Sequence, residues 1–511
     1  MPGLLRSDCV QASKRTTTIM KKTIINFAIF GTLITSFTAC DRDLLTPIPQ
    51  TSVSDASAFS TPTRVQGQLL SLYAGLKSGN FYGGRYVIYG DIRGENFMNE
   101  TSNLVTGSDV WALNATNSAT AVQTLWSAAY LAINKANIFI DGMAAGGATI
   151  VGADLAGKYV AEAKLIRALS YYSLLQYYAR PYADGNGARP GVPLRLKGII
   201  GSGESNIARS TVAEVYTQVL KDLNEAETSL PASYSVAGEN TTRAHKNTAI
   251  ALKTRVYLSM QNYAAVITEA NKIVSATAPF AASTGVAHRL QADIATVFTN
   301  YTTTESIFSL PMTSTAGDSP GTQNQLAFYF SPTVANGGVG GGEYSLNPKG
   351  IIADPNWKDT DKRRLFIKQS GTGTAVKSWL IKYKAASPYT DYVPVIRYAE
   401  VLLNLAEAKV RSTNTVDAQA VALLNAVRNR SDAATTYTTA NFATSASLIS
   451  GIMQERQIEF LGEGLRNNDL VRLLETIPAK GTAPSKAANE SGYIWPISSA
   501  ELALNALITD N

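Results

Sequence analysis

The segment Asp91-Ile92-Arg93-Gly94-Glu95-Asn96-Phe97 sets a carboxylate, a guanidinium, an amide and an aromatic ring close together, and Trp111 follows in the same polar, aromatic stretch, 85–117. A second stretch, 276–394, is rich in Gly, Ser, Thr and Pro and carries Tyr329, Tyr344 and Trp357. Flat rings flanked by hydrogen-bonding groups suit a polyhydroxylated ligand: its C–H face stacks on a ring, and its hydroxyl rim meets amide, carboxylate or guanidinium. Asp91, Arg93, Asn96, Trp111, Tyr329, Tyr344 and Trp357 are the candidate binding residues, on the expectation that loops carried by a rigid frame expose them. Burial is the competing fate for each ring. Trp126 falls on an apolar helical stripe and is expected in the core; Trp379, in a strand-like run, is assigned to neither.

Covalent chemistry finds little support. The two histidines, His245 and His288, stand beside no nucleophile motif and form no metal-ligand cluster. The glycine run 337–342 lacks the preceding strand, the opening helix and the spacing of a dinucleotide fingerprint. A glycosidase needs two carboxylates about 5–5.5 or 6.5–9.5 Å apart, and no motif singles out such a pair. Hence no catalytic residue, metal or cofactor is expected, and the function is read as binding without turnover.

The elements that must carry these residues are mostly helices. Apolar positions recur at 3–4 spacing over 64–78 and 121–145, and a long helical pattern over 154–180 stops at Pro181. Thr211 with Glu214 has capping-box spacing and opens the next helix, which ends at Pro231. Helix pairs are expected at 245–259 with 263–274, 396–410 with 416–430, and 448–461 with 465–474. Each buries its apolar stripe against the next, as in tetratricopeptide units. Short strands are expected at 306–310 and 380–384, and 85–117 and 276–394 are expected as loops. The fold class is therefore mainly α: tetratricopeptide-like helix pairs forming a frame, with long irregular loops and a few short β-strands.

The net charge of +6 over 511 residues comes largely from the N-terminus, where Arg6, Lys14, Arg15, Lys21 and Lys22 face only Asp8. The rest of the chain is nearly neutral and offers no footprint for a nucleic-acid backbone. From Met20 the chain runs Lys21-Lys22, then a mostly apolar stretch to Phe37, then Thr38-Ala39-Cys40, the pattern of a secretory signal peptide. The apolar stretch is too short to span a bilayer as a helix. Its ending resembles a bacterial lipobox, in which Cys40 becomes the acylated first residue of the mature protein. Residues 1–19 read as an over-extended translation start and 20–39 as the signal peptide. With Cys40 acylated, no thiol remains for catalysis or a disulfide.

Several stretches together resemble one family. The run 395–408, with Arg397, Glu400, Asn404 and Glu407, is very similar to a motif of the SusD/RagB family of outer-membrane nutrient-binding lipoproteins. So are 424–430, with Arg428 and Arg430; 455–466, with Glu455, Arg456, Glu459 and Glu463; then Asp469, Arg472 and the close at Trp495-Pro496-Ile497. Glu162 to Ala168 and Asp361-Lys362-Arg363-Arg364 extend the likeness, dividing the mature chain into an N-terminal region 41–235 and a C-terminal region 236–511 within one globular unit. The charged motif residues are expected to form polar seams between helices rather than a ligand site. The resemblance implies a lipid-anchored protein on the outer cell surface that binds oligosaccharide or polysaccharide. It would deliver that glycan to a TonB-dependent transporter of the SusC/RagA type by closing over it as a lid. Peptide capture by the same architecture, and a helical-repeat adaptor for another protein, are the competing expectations.

Overall fold

A computed structural model describes residues 57–201, 206–315 and 318–511. Cys40, the expected signal peptide and the stretch before it lie outside the described residues. The elements below all belong to the unit Phe59–Asn511.

The main helices are α1 (Pro62–Leu76), α2 (Arg85–Ile92), α3 (Thr120–Gly142), α4 (Ala153–Tyr178), α5 (Val212–Ser229), α6 (Lys246–Ser259), α7 (Tyr263–Ala270), α8 (Tyr398–Thr413), α9 (Ala418–Ser431), α10 (Ser445–Glu459) and α11 (Arg466–Arg472). Side-chain caps fix several starts. Thr211 and Glu214 form the expected capping box at α5, with Glu214 N–H donating to Thr211 Oγ1 at 3.2 Å. Asp417 accepts from Ala420 N–H at 2.7 Å at the start of α9. The helix α8 closes on Asn414, whose φ of 53° is the left-handed conformation that asparagine tolerates. From α3 to α10 each helix packs against the next, and α8 also meets α6 and α10, so the helix pairs form the expected stacked frame.

Strands β1 (Phe97–Asn99), β3 (Tyr344–Leu346), β4 (Ile367–Ser370) and β5 (Lys377–Leu380) make an antiparallel sheet in the order β1-β3-β5-β4, with Phe97 opposite Leu346 and Lys368 opposite Trp379. Strands β2 (Ser306–Leu310) and β6 (Val393–Arg397) pair separately, with Ser306 opposite Arg397. The strand expected at 380–384 thus lies earlier, at Lys377–Leu380. The stretch 85–117, expected as loop, contains α2, all of whose residues are buried. A helix buried all round has no apolar stripe for periodicity to find. The glycine run 337–342 folds back on residues 326–332: Gly340 N–H donates to Pro332 O at 2.9 Å and Gly341 N–H to Phe328 O at 2.8 Å. A Cβ on Gly338 or Gly340 would collide with the carbonyls of that turn, so close backbone approach accounts for these glycines.

The charged motif residues do form buried seams. Arg255 on α6 pairs with Glu400 on α8 at 2.6 Å, and Asn404 accepts from Arg456 at 2.7 Å while donating to Thr254 at 3.1 Å. Glu407 meets Arg472 and Arg411, each at 2.7 Å. Burial alone would raise the Glu407 carboxyl, yet Arg472, Arg456 and Arg411 hold it below its ordinary range. Deeper still, Arg363 binds Asp361 (2.6 Å), Glu455 (2.5 Å) and Glu459 (2.9 Å), and Arg397 binds Glu459 (3.0 Å) and Glu463 (2.7 Å).

Candidate ligand-binding groove

The candidate residues read from the sequence are all buried, which corrects the expectation that loops expose them. Exposure is 1% for Asp91, 2% for Arg93, Asn96 and Trp357, 7% for Trp111, and 0% for Tyr329 and Tyr344. The polar tips of Trp111, Tyr329 and Tyr344 have internal partners that let the large rings leave water, whereas the buried Trp357 indole N–H has no acceptor. Trp111 Nε1 donates to Phe97 O at 2.7 Å, Tyr344 OH to Thr106 O at 2.9 Å, and Tyr329 OH to Gln323 O at 2.9 Å; the two tyrosine rings stack at 6.0 Å. Trp357 lies under the Arg364 guanidinium, 4.3 Å from its centre. Arg93 donates to Asn467 Oδ1 at 2.8 Å and to Tyr493 O at 2.6 Å. Asp91 accepts from Gly464 N–H at 2.6 Å. Burial pushes the Asp91 carboxyl up to about 8, against the opposing pull of that hydrogen bond. Trp126 is in the core as expected, 3% exposed, and Trp379 is buried too.

A different place offers what a hydroxyl-rich ligand needs. A groove of about 480 Å³ opens between the loop after β3, the loop joining α9 to α10, and the outer face of α10. That volume is within the range of small-ligand sites, about 300–1,000 Å³. Its helical wall is Ser447, Ser450, Gly451, Gln454 and Gln457, with Met453 beside them, positions that helical spacing brings to one side while Leu448, Ile452, Glu455 and Glu459 turn inward. Thr444 caps this helix, accepting from Ser447 N–H at 3.1 Å.

The joining loop supplies Tyr437, Asn441 and Phe442. Both rings are half-buried, with centres 5.4 Å apart and planes tilted by 50°. The loop is clipped to α9 at Tyr437, whose N–H donates to Asn425 Oδ1 at 2.9 Å and whose carbonyl accepts from Asn425 Nδ2 at 2.7 Å. Phe442 lies against α10 because residue 451 is glycine: a Cβ there would be 3.1 Å from the ring. Burial raises the Tyr437 phenol above its ordinary value, so it remains a hydrogen-bond donor at neutral pH.

The third wall is Ile351, Asp354 and Asn356. Asp354 is held by its own loop, accepting from Asn356 N–H at 2.8 Å, and by Gln454 Nε2 at 2.5 Å across the groove. From behind, Asn96 Oδ1 accepts from Ile351 N–H at 2.9 Å. Glu95 pairs with Arg466 at 2.5 Å, and the Gln457 amide, assigned with its oxygen toward Arg466, accepts from that guanidinium at 3.0 and 3.2 Å. The segment 91–97 therefore buttresses the groove instead of lining it, and Trp357 plugs the base of the loop that carries Asp354. The signal that could have found the groove is the uncharged outer face of α10, preceded by a loop with two rings five residues apart.

A slightly larger hollow, about 520 Å³, lies among α3, α4 and α5. It is lined by Ile140, Met143, Val160 and several alanines, with Lys164 and Glu225 paired to each other at 2.5 Å, so it presents little to a hydroxyl rim. Among the described residues, no group of three or more His, Cys, Asp or Glu side chains is placed to hold a metal ion. Nor is any described helix long and apolar enough to cross a membrane.

Residues 50–258 match a family model described as starch-binding and associating with the outer membrane, and residues 356–511 match the model of the SusD family. A SusD superfamily protein of Bacteroides fragilis is 32% identical, with a TM-score of 0.76 over 88% of this chain and 99% of that one. A laminarin-binding SusD-like protein shares the fold at 20% identity, with a TM-score of 0.68 over 88% of this chain and 99% of that one. A SusD-like protein of Formosa agariphila is 24% identical over 88% of this chain and 91% of its own length.

Proposed function

Because the chain belongs to the SusD family, we propose that it is a cell-surface glycan-binding lipoprotein that captures oligosaccharide and passes it to a TonB-dependent outer-membrane transporter, without catalysis. The observation that carries the binding step is the groove, where the half-exposed rings of Tyr437 and Phe442 stand beside the amides of Asn356, Asn441, Gln454 and Gln457. Rings supply a stacking surface and the amides supply both donors and acceptors, the pairing a sugar requires. The matched family descriptions and the laminarin-binding relative support a glycan over other ligands. Lipidation at Cys40 would tether the protein, since about 0.8 kcal/mol per buried methylene makes two or more acyl chains a lasting anchor. Handing over the ligand by closure requires that ligand bind the closed arrangement more tightly than the open one.

Calorimetric titration of the purified full chain against soluble glycans and peptides tests this reading. Saturable binding of a glycan, lost in Tyr437→Ala, supports it. Binding of peptides alone, or turnover of any panel member, overturns it.

A further inference from the structure

Resting on the reading of the groove as a glycan site, we propose that Asp354 makes it selective for neutral sugars over uronate and sulfated ones. The groove lining holds one carboxylate, Asp354, and no lysine or arginine. Its other polar groups are amides and hydroxyls, which serve neutral hydroxyls and bring no positive charge to an anionic substituent. Two cations reach lining residues, and both are committed: Arg428, 3.5 Å from Asn356 O, is buried and paired with Asp361 and Glu455. Arg466, outside the lining, pairs with Glu95 at 2.5 Å and meets Gln457 when that amide turns its oxygen toward it, so its charge is already neutralised.

Asp354 is also fixed in place. Asn356 N–H and Gln454 Nε2 hold its two oxygens at 2.8 and 2.5 Å, which prevents the side chain from swinging clear when a second negative charge enters. A carboxylate accepts from sugar hydroxyls through its remaining lone pairs and repels a ligand carboxylate or sulfate at the same position. At about 4 Å and partial exposure, the repulsion corresponds to about a fivefold loss of affinity or more.

The test measures the full chain against neutral gluco-hexaoses, in α1,4, β1,3 and β1,4 linkages, and against uronate hexamers, at low and high salt. Wild type should bind a neutral hexamer at least fivefold more tightly than any uronate hexamer, and added salt should narrow the gap by screening the repulsion. Asp354→Asn keeps the shape and should move the neutral-to-uronate ratio about fivefold toward the uronate, with its salt dependence gone. Equal wild-type affinity for both charge classes, or an unchanged ratio in D354N, overturns the selectivity while leaving the groove as the glycan site. Undiminished neutral binding in Tyr437→Ala, or no binding to any hexamer, overturns the groove reading and this inference together.

Discussion

The side-chain oxygen of Asn96 accepts a hydrogen bond from the backbone N–H of Ile351 at 2.9 Å, tying the end of the 91–97 segment to the loop that carries Asp354. Asn96 is 2% exposed and touches the groove only through that loop, so it is a positioning residue. Asn96→Ala leaves a buried N–H without a partner, a cost of about 1–3 kcal/mol. A lowered melting temperature and weaker glycan binding are expected together, and Asn96→Asp, which keeps an acceptor, should recover more binding than alanine does. Unchanged binding in Asn96→Ala would show that the loop holds its place without this bond.

Tyr437 and Phe442 separate ligand contact from folding. Both rings are half-buried, so truncating either to alanine should leave the unfolding midpoint nearly unchanged and weaken glycan binding about tenfold, in line with the roughly 1 kcal/mol or more carried by a well-placed aromatic contact. Trp111→Ala and Tyr344→Ala should behave in the opposite manner. Their rings lie in the core at 7% and 0% exposure, and removing such a ring costs about 3–5 kcal/mol. Chemical denaturation alongside binding titrations distinguishes the two classes.

The frame was legible because its signals are local or periodic. Thr211 and Glu214 announce a capping box by spacing alone, and Arg397, Glu400, Asn404 and Glu407 recur at helical spacing inside an apolar run, the pattern of a buried polar seam. The groove was not legible for two reasons. Loop position says nothing about which way a ring points: Trp357 and Tyr344 are on loop-rich stretches, yet Arg364 covers one and Thr106 O holds the other inside. The rings that do face outward, Tyr437 and Phe442, come from a short connection between helices, and only the fold brings them to Asp354, more than eighty residues earlier in the chain.

Arg363 holds the deepest seam. It is 2% exposed and bound to Asp361, Glu455 and Glu459. Replacing it with methionine leaves those carboxylates to Arg397, Arg428 and Arg430, one positive charge fewer in a low-dielectric interior, and loss of one partner of a buried pair costs about 3–5 kcal/mol. Arg363→Lys should recover only part of this, because an ammonium cannot reproduce the fork that reaches all three acids. Urea unfolding of both variants measures the difference; a methionine variant as stable as wild type would show that the seam contributes specificity and not stability.

Stability should fall on both sides of neutrality, for separate reasons. His245 and His288 stack 5.3 Å apart in the core. Burial, with each other's charge as a further cause for His245, lowers them to about 3 and about 4. Unfolded histidines protonate as pH falls through about 6.5, while the folded pair does not until pH 4 to 3. Unfolding therefore takes up protons in that window, and the stability present above pH 6.5 is lost as pH drops through it. Asp91 acts in the opposite direction. Its carboxyl is raised to about 8 from an ordinary 3.8, so the folded state keeps a proton that the unfolded chain releases, and stability declines as pH rises from about 4 to about 8. His245→Gln should flatten the acid limb of a melting-temperature profile, and Asp91→Asn, which can still accept from Gly464 N–H, should flatten the alkaline limb. If either variant keeps the wild-type slope in its own window, that group does not control that limb.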